Sequence, residues 1–256
     1  MRSNKGLSLI EVVFACALMS VLLLVLSVAL RQSQWVFRAT SGNTDTSALL
    51  RKVGQEMQRD LLQTNLKFCA VTNTPGAEGG AVWFLSNLDP GDHKPRFKLD
   101  GSPFWTRNVL YYMVRPNGHD GLFGRSCPVA PGPSGHDEHC PHKVMIRKEI
   151  DFGAATNYAN EATAETLIPA GSITTYLSRP NEYKVSGMSS EAGMREARVL
   201  GQLLLDFEAR LGQGAVDVDV RAVALARAER EVNTSGPMYN SKYTLNFAQT
   251  IYPQAR

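Results

Sequence analysis

The sequence predicts an α+β protein in which a long N-terminal helix packs on an antiparallel β-sheet. Three observations carry this. Leu7–Leu30 is an apolar run with a single charge, Glu11, and roughly 20 such residues are enough to cross a bilayer as a helix. Leu49, Leu50, Val53, Met57, Leu61 and Leu62 then recur at three- and four-residue spacing, the pattern of one apolar helix face. Towards the C-terminus the period becomes two. Leu205, Phe207, Ala209 and Leu211 alternate with Asp206, Glu208 and Arg210, and Val216, Val218, Val220 and Ala222 alternate with Asp217, Asp219 and Arg221. Period two marks half-buried strands. Helix first and strands afterwards is the α+β order.

The elements come in sequence. Residues 31–67 continue the helix beyond the apolar run, with an interruption or kink expected at Gly42-Asn43. Asn43, Thr44 or Asp45 then caps the second part. Unbroken helix from 7 to 67 would measure about 90 Å. Residues 72–80 form a loop rich in Gly, Thr and Asn. Strands are expected at 81–85, 108–114 and 143–150. Residues 151–198 lack a pattern and read as a long excursion, with a short strand at Ser172–Leu177 and a helical turn near Ser190–Arg198. Asn240–Ile251 is the last strand, with Tyr243, Leu245 and Phe247 on one face.

The chain has 256 residues and a formal net charge of +3. With the apolar run set aside, about 220 residues remain, enough to bury roughly 70% of their surface. Dense basic groups occur only at Arg2/Lys5 and at Lys143, Arg147 and Lys148. No basic stripe is interleaved with aromatics, so nucleic acid is not a predicted partner.

The N-terminal stretch admits three readings. A cleaved secretory signal would end at Ser27-Val28-Ala29, but its apolar part is usually about 7–15 residues and lacks an acid. An ordinary single-span anchor explains the length, and the basic residues before it place the body outside the cytoplasm. That reading leaves Glu11 without a purpose, although a carboxylate in lipid is costly and marks function. The third reading starts from Gly6-Leu7-Ser8-Leu9-Ile10-Glu11-Val12. This stretch resembles the cleavage and methylation signature of type IV pilins and of the pseudopilins of type II secretion.

The resemblance implies that a prepilin peptidase cuts between Gly6 and Leu7 and methylates Leu7. Glu11 becomes the fifth mature residue and pairs with the N-terminal amine of a neighbouring subunit during assembly. The family usually begins its mature chain with Phe and Thr, where this sequence has Leu7 and Ser8. Residues 1–6 are then a leader peptide, 7–30 a transmembrane and assembly helix, 31–67 its extracytoplasmic continuation, and 68–256 a globular α+β domain. The chain would be a single-pass inner-membrane protein with a periplasmic body, incorporated in a pilus or pseudopilus. Its partners would be the peptidase, other pilin or pseudopilin subunits and inner-membrane lipid. Its role would be structural rather than enzymatic, without a cofactor. Met57-Gln58-Arg59-Asp60-Leu61, Leu110-Tyr111-Tyr112, Val144-Met145-Ile146-Arg147, Leu203-Leu204-Leu205-Asp206-Phe207, Val220–Leu225 and a terminal strand resemble the minor subunits, the J-type pseudopilins and W-type pilins.

The cysteines raise a separate question. Cys16 lies in the apolar run as a small apolar residue. Cys69, Cys127 and Cys140 come after it, and their odd number leaves at least one outside any intramolecular pair. Cys127 and Cys140 bracket 12 residues, with His136, His139 and His142 crowded at the second end. The expected arrangement is a Cys127–Cys140 disulfide, permissible outside the cytoplasm and worth about 3 kcal/mol for a loop of this size. A zinc or copper site is the alternative. It would make the protein a membrane-anchored binding module holding metal through the Cys127–His142 loop. The short spacing around Pro141 weighs against that alternative, and no metal ligand is expected.

Enzyme signatures are missing: there is no G-x-S-x-G, H-E-x-x-H or P-loop. His119-Asp120 and Ser134-Gly135-His136-Asp137 supply triad-type residues without triad geometry. Asp217 and Asp219 read as a solvated strand face rather than calcium ligands.

Overall fold

The computed structural model describes residues 8–123, 127, 132, 135–185, 188, 191–224 and 244–253. The chain divides into two compact units, Met1–Gly42 and Asn43–Arg256. The described part of the first unit is the opening of helix α1, which spans Leu9–Leu61. Its large apolar residues are exposed all round: the consecutive Leu22, Leu23, Leu24 and Val25, which step round the whole helix, are all exposed. A helix apolar on every side suits hydrocarbon rather than water. α1 is long and apolar enough to cross a membrane.

α1 runs unbroken through Gly42-Asn43, so the expected interruption does not occur. A single glycine inside a helix costs only about 1 kcal/mol, too little to end one this long. Asn43, Thr44 and Asp45 are accordingly helix-interior residues.

Among the described residues, the second unit holds the rest of α1, a short helix α2 (His119–Phe123) and seven strands: β1 (Cys69–Asn73), β2 (Gly80–Ser86), β3 (Arg107–Val114), β4 (Lys143–Ile150), β5 (Met194–Leu211), β6 (Val216–Val223) and β7 (Thr244–Ile251). They form one sheet in the order β1-β2-β3-β4-β5-β6-β7. Every neighbouring pair is antiparallel.

The sheet curls around the end of α1. Leu50, Val53, Met57 and Leu61 insert their apolar stripe against Val82, Phe84, Val109, Met113, Met145, Leu204, Phe207 and Val220. The curl brings β2 so near β5 that a Cβ on Gly80 would sit 2.9 Å from the Phe207 carbonyl oxygen. Only glycine permits that approach. On α1, a Cβ at Gly54 would lie 2.2 Å from the Phe247 ring of β7.

The opposite face of β2–β4 is covered as well. The excursion after β4 lays Ile168, Ile173, Tyr176 and Leu177 over Trp83, Leu110, Tyr112, Val144, Ile146 and Ile150. Polar tips of the sheet pin it down. Trp83 Nε1 donates to the Ile168 carbonyl at 2.8 Å, the Tyr112 hydroxyl to the Ser178 carbonyl at 2.7 Å, and Lys148 Nζ to the Tyr176 carbonyl at 2.6 Å. Lys148 is fully buried and also meets the Glu191 carboxylate at 2.6 Å. Helix, sheet and excursion thus make three layers. This is why every residue of β2, β3 and β4 is buried while β6 and β7 retain alternation.

The structure corrects several expectations. Helix α1 ends at Leu61, short of the expected 67; a 3-10 turn follows at Leu66–Phe68, and Cys69–Asn73 is strand where a loop was expected from residue 72. Ser172–Leu177 is not strand; Ile173–Tyr176 forms a 3-10 turn. Strand begins at Met194 in place of a helical turn, because β5 must match the full length of β4. Register shifts where β5 meets β4 and β6, together with Leu203 at a φ of 59°, bulge β5. One extra residue exchanges the faces of a strand. Leu204 and Phe207 therefore share the core with α1, while Leu205 pairs with Val223 on its own. In the last strand Leu245 and Phe247 pack against the core, and Tyr243 lies outside the described residues.

A buried ionic network fastens α1 within this unit. Asp60 accepts from the Tyr111 hydroxyl at 2.6 Å and from Arg147 Nε at 2.8 Å. Arg147 reaches Glu149 at 2.6 Å, and Arg107 meets the other oxygen of Glu149 at 3.1 Å. Burial pushes the Asp60 carboxyl up, but Arg147 and Tyr111 outweigh it and hold the pKa below the ordinary value.

Candidate functional site

Gly6 and Leu7, the expected processing point, lie outside the described residues. From Ser8 onward the chain shows a helix start built by two side chains. The Ser8 backbone N–H donates to Glu11 Oε2 at 2.8 Å, and the Ser8 hydroxyl donates to the same oxygen at 3.1 Å. The Glu11 N–H reaches Ser8 Oγ at 3.4 Å in return. This is a capping box, S-x-x-E, which satisfies orphan donors at the helix N-terminus reciprocally. The carboxylate also complements the positive end of the helix dipole. The signal for it stands in the sequence as Ser three residues before Glu, although the lone charge at Glu11 is the more conspicuous feature of that stretch. Both members of the box lie C-terminal to the Gly6–Leu7 bond, so cleavage there would leave the box intact.

The cysteine–histidine loop is ordered differently from expectation. Cys127 and Cys140 are free thiols, so the expected disulfide is absent from this structure. Their sulfurs belong to a four-residue cluster with His119 and His142. His119 is carried by α2, and His142 immediately precedes β4. All four residues are buried, with relative exposures of 4% for His119, 5% for Cys127, and 0% for Cys140 and His142. The pair shares a hydrogen bond that lowers the Cys127 thiol and, together with burial, pushes Cys140 up to about 11.

The other two histidines of the loop point elsewhere. His136 bridges Asp206 at 3.0 Å and Asn73 at 2.8 Å, and His139 Nδ1 lies 3.8 Å from Asp137. Asp137 is in turn held by Lys143 at 3.4 Å and donates its backbone N–H to the Ala77 carbonyl at 2.7 Å. His136 and Asp137 thus seat the loop on the sheet and leave Cys140 and His142 to face Cys127 and His119. No local spacing connects His119 with a loop that begins eight residues later.

Cys69 is core, its thiol raised to about 12 first by burial, which makes it inert. Asp217 and Asp219 are side by side on the outer face of β6, bonded to Thr250 at 2.6 Å and Arg221 at 2.7 Å. These are sheet-surface partners, as their alternation implied.

Residues 1–27 match the family model described as the prokaryotic N-terminal methylation motif. No curated protein and no solved structure matches the chain.

Proposed function

We propose that the protein is a type IV pilin-like subunit, processed by a prepilin peptidase after Gly6 and assembled with other subunits through its N-terminal helix. The observation that carries this reading is the match of residues 1–27 to the methylation motif. Three physical features support it. The matched segment opens a helix whose apolar side chains are exposed on all sides. Its sole acid, Glu11, sits in the first turn of α1. The remainder of the helix packs into a curled antiparallel sheet, an α+β arrangement.

In this reading α1 anchors the chain as a single inner-membrane pass before assembly, with the sheet unit on the periplasmic side. Glu11 registers one subunit against the next by meeting the amine that cleavage creates at Leu7. A buried carboxylate needs such a partner or must lose its charge. The long excursion over β2–β4 and the extended β3–β4 loop enlarge the body, which favours a minor subunit of the J or W type over a major one. A pilus and a secretion pseudopilus are equally served by this geometry.

The test is co-expression with a prepilin peptidase, followed by intact mass and N-terminal fragmentation. The expected product lacks residues 1–6 and carries one methyl group on Leu7. An intact N-terminus, or cleavage after Ala29, overturns the reading.

A further inference from the structure

We propose that His119, Cys127, Cys140 and His142 form a structural zinc site that fixes the β3–β4 connection to the sheet. The argument is geometric. Their ligand atoms all lie within 4.8 Å of one another. His119 Nε2 and His142 Nδ1 are 3.2 Å apart. Cys140 Sγ is 3.4 Å from His119 Nε2 and 3.9 Å from His142 Nδ1, and Cys127 Sγ is 3.5 Å from His142 Nδ1. Zinc takes sulfur at about 2.3 Å and imidazole nitrogen at about 2.0–2.1 Å in a tetrahedron. Those bond lengths place two nitrogens about 3.3 Å apart, sulfur and nitrogen about 3.6 Å apart, and two sulfurs about 3.8 Å apart. The four measured separations scatter around these edges by a few tenths of an ångström.

Charge and surroundings agree. A dication with two thiolates and two neutral imidazoles is neutral overall, so the complete set can be buried without an uncompensated charge. Protein supplies all four ligands, the closed arrangement of a structural rather than a catalytic zinc. His119 turns Nε2 to the cluster because Nδ1 meets the Asp120 carboxylate at 2.8 Å, the outer carboxylate that typically orients a zinc-bound histidine. Arg115 Nη1 donates to the Cys127 carbonyl at 3.5 Å and Nε to Glu78 at 2.9 Å, tying the Cys127 strap to the end of β3. Cys140 and His142, two residues apart in extended chain, reach one point because alternate residues share a face. His119 and Cys127 come from the far end of the connection, so a metal there joins its two ends.

The test uses the full chain in detergent, purified through a tag without histidines and without chelator. Elemental analysis is expected to give about one zinc per chain, and His119→Ala and Cys140→Ser are each expected to lower retained zinc at least ten-fold. His93→Ala, which alters an exposed histidine outside both the cluster and the β3–β4 connection, is expected to retain it. Because Cys140→Ser threatens folding itself, cobalt exchange into the unmutated protein gives an independent reading. Intense visible bands of tetrahedral cobalt and a thiolate-to-cobalt charge-transfer band are expected. A Cys127–Cys140 disulfide in the metal-free protein overturns the proposal. So does reduced protein that takes up neither zinc nor cobalt, or equal zinc in all variants. N-terminal processing is read from the same preparation by mass, so failure of the zinc site and failure of the pilin reading are separately visible.

Discussion

Glu11 caps α1, the proposed function adds a role in subunit pairing, and Glu11→Gln divides the two. The capping box of Ser8 and Glu11 accepts glutamine in place of glutamate. Helix nucleation should therefore survive in Glu11→Gln and weaken by about 1 kcal/mol in Glu11→Ala. The charge is lost in both. A carboxylate near the middle of a bilayer costs roughly 2.5–3.5 kcal/mol, and Glu11 in the first turn of α1 belongs at the lower end of that scale. If pairing with a neighbour's amine recovers most of it, each subunit contact loses about 2 kcal/mol without the charge, a fall of about 30-fold in association. The assay is the fraction of processed protein in sheared filaments against the membrane fraction, with helix content in micelles from circular dichroism. Glu11→Gln should be processed and helical like the parent yet almost absent from filaments, and Glu11→Ala should show the same assembly loss plus a frayed start. Parental filament yield from Glu11→Gln would refute charge pairing and leave capping as the residue's sole role.

The second unit yields further expected outcomes. Asp60→Ala removes the shortest acceptor of buried Arg147 Nε, leaving Glu149, the more distant Glu196 and the Tyr111 hydroxyl, and leaves that hydroxyl without its acceptor. It should cost about 3 kcal/mol in urea unfolding monitored by tryptophan fluorescence, whereas Arg59→Ala at the exposed edge should cost under about 1 kcal/mol. Because the Asp60 pKa is lowered in the fold, its contribution is present above the unfolded value and lost as pH falls through the folded one; the Asp60→Ala deficit should shrink in acid. Burial and a hydrogen bond shared with Asp151 raise Glu165 to about 8. Its contribution favours the fold at low pH and is lost as pH rises from the ordinary carboxylate range to about 8. Asp151→Asn should move that loss to lower pH, visible in the carboxyl titration by NMR; an unchanged midpoint would rule out the shared bond. Gly54→Val would drive a side chain into the Phe247 ring and should lower stability by about 1–2 kcal/mol, while Gly171→Val, where a Cβ meets open space, should change little.

Legibility tracked the range of the interaction. The α1 stripe at Leu50, Val53, Met57 and Leu61 was visible because helix spacing is local, and β6 because one of its faces stays open. β2, β3 and β4 read as apolar runs, but nothing in them announced that an unpatterned excursion would cover their second face. That cover depends on Trp83, Tyr112 and Lys148 finding carbonyls far along the chain. The face exchange at Leu205 was hidden for a related reason: a bulge is settled by the partner strand. In the cysteine–histidine cluster, local crowding pointed to His136 and His139, whereas Asp206 and Asn73 claim His136 and α2 supplies His119. The capping box was fully written in the sequence, since Glu11 stands three residues after Ser8.

The sheet's order has one more consequence. Among the described strands, each after the first pairs with the one that precedes it in the chain, without a crossover. A polypeptide emerging N-terminus first can therefore close the sheet one hairpin at a time, each new strand finding its edge already in place. The β1–β2 and β5–β6 connections are short, which keeps their closure entropy low; the connection from β4 to β5 is the longest and its closure is the slow step of this order. For a chain whose leading helix is held in a bilayer, that geometry removes any need to hold unpaired strands in reserve. The sheet can zip shut in the order in which the chain arrives.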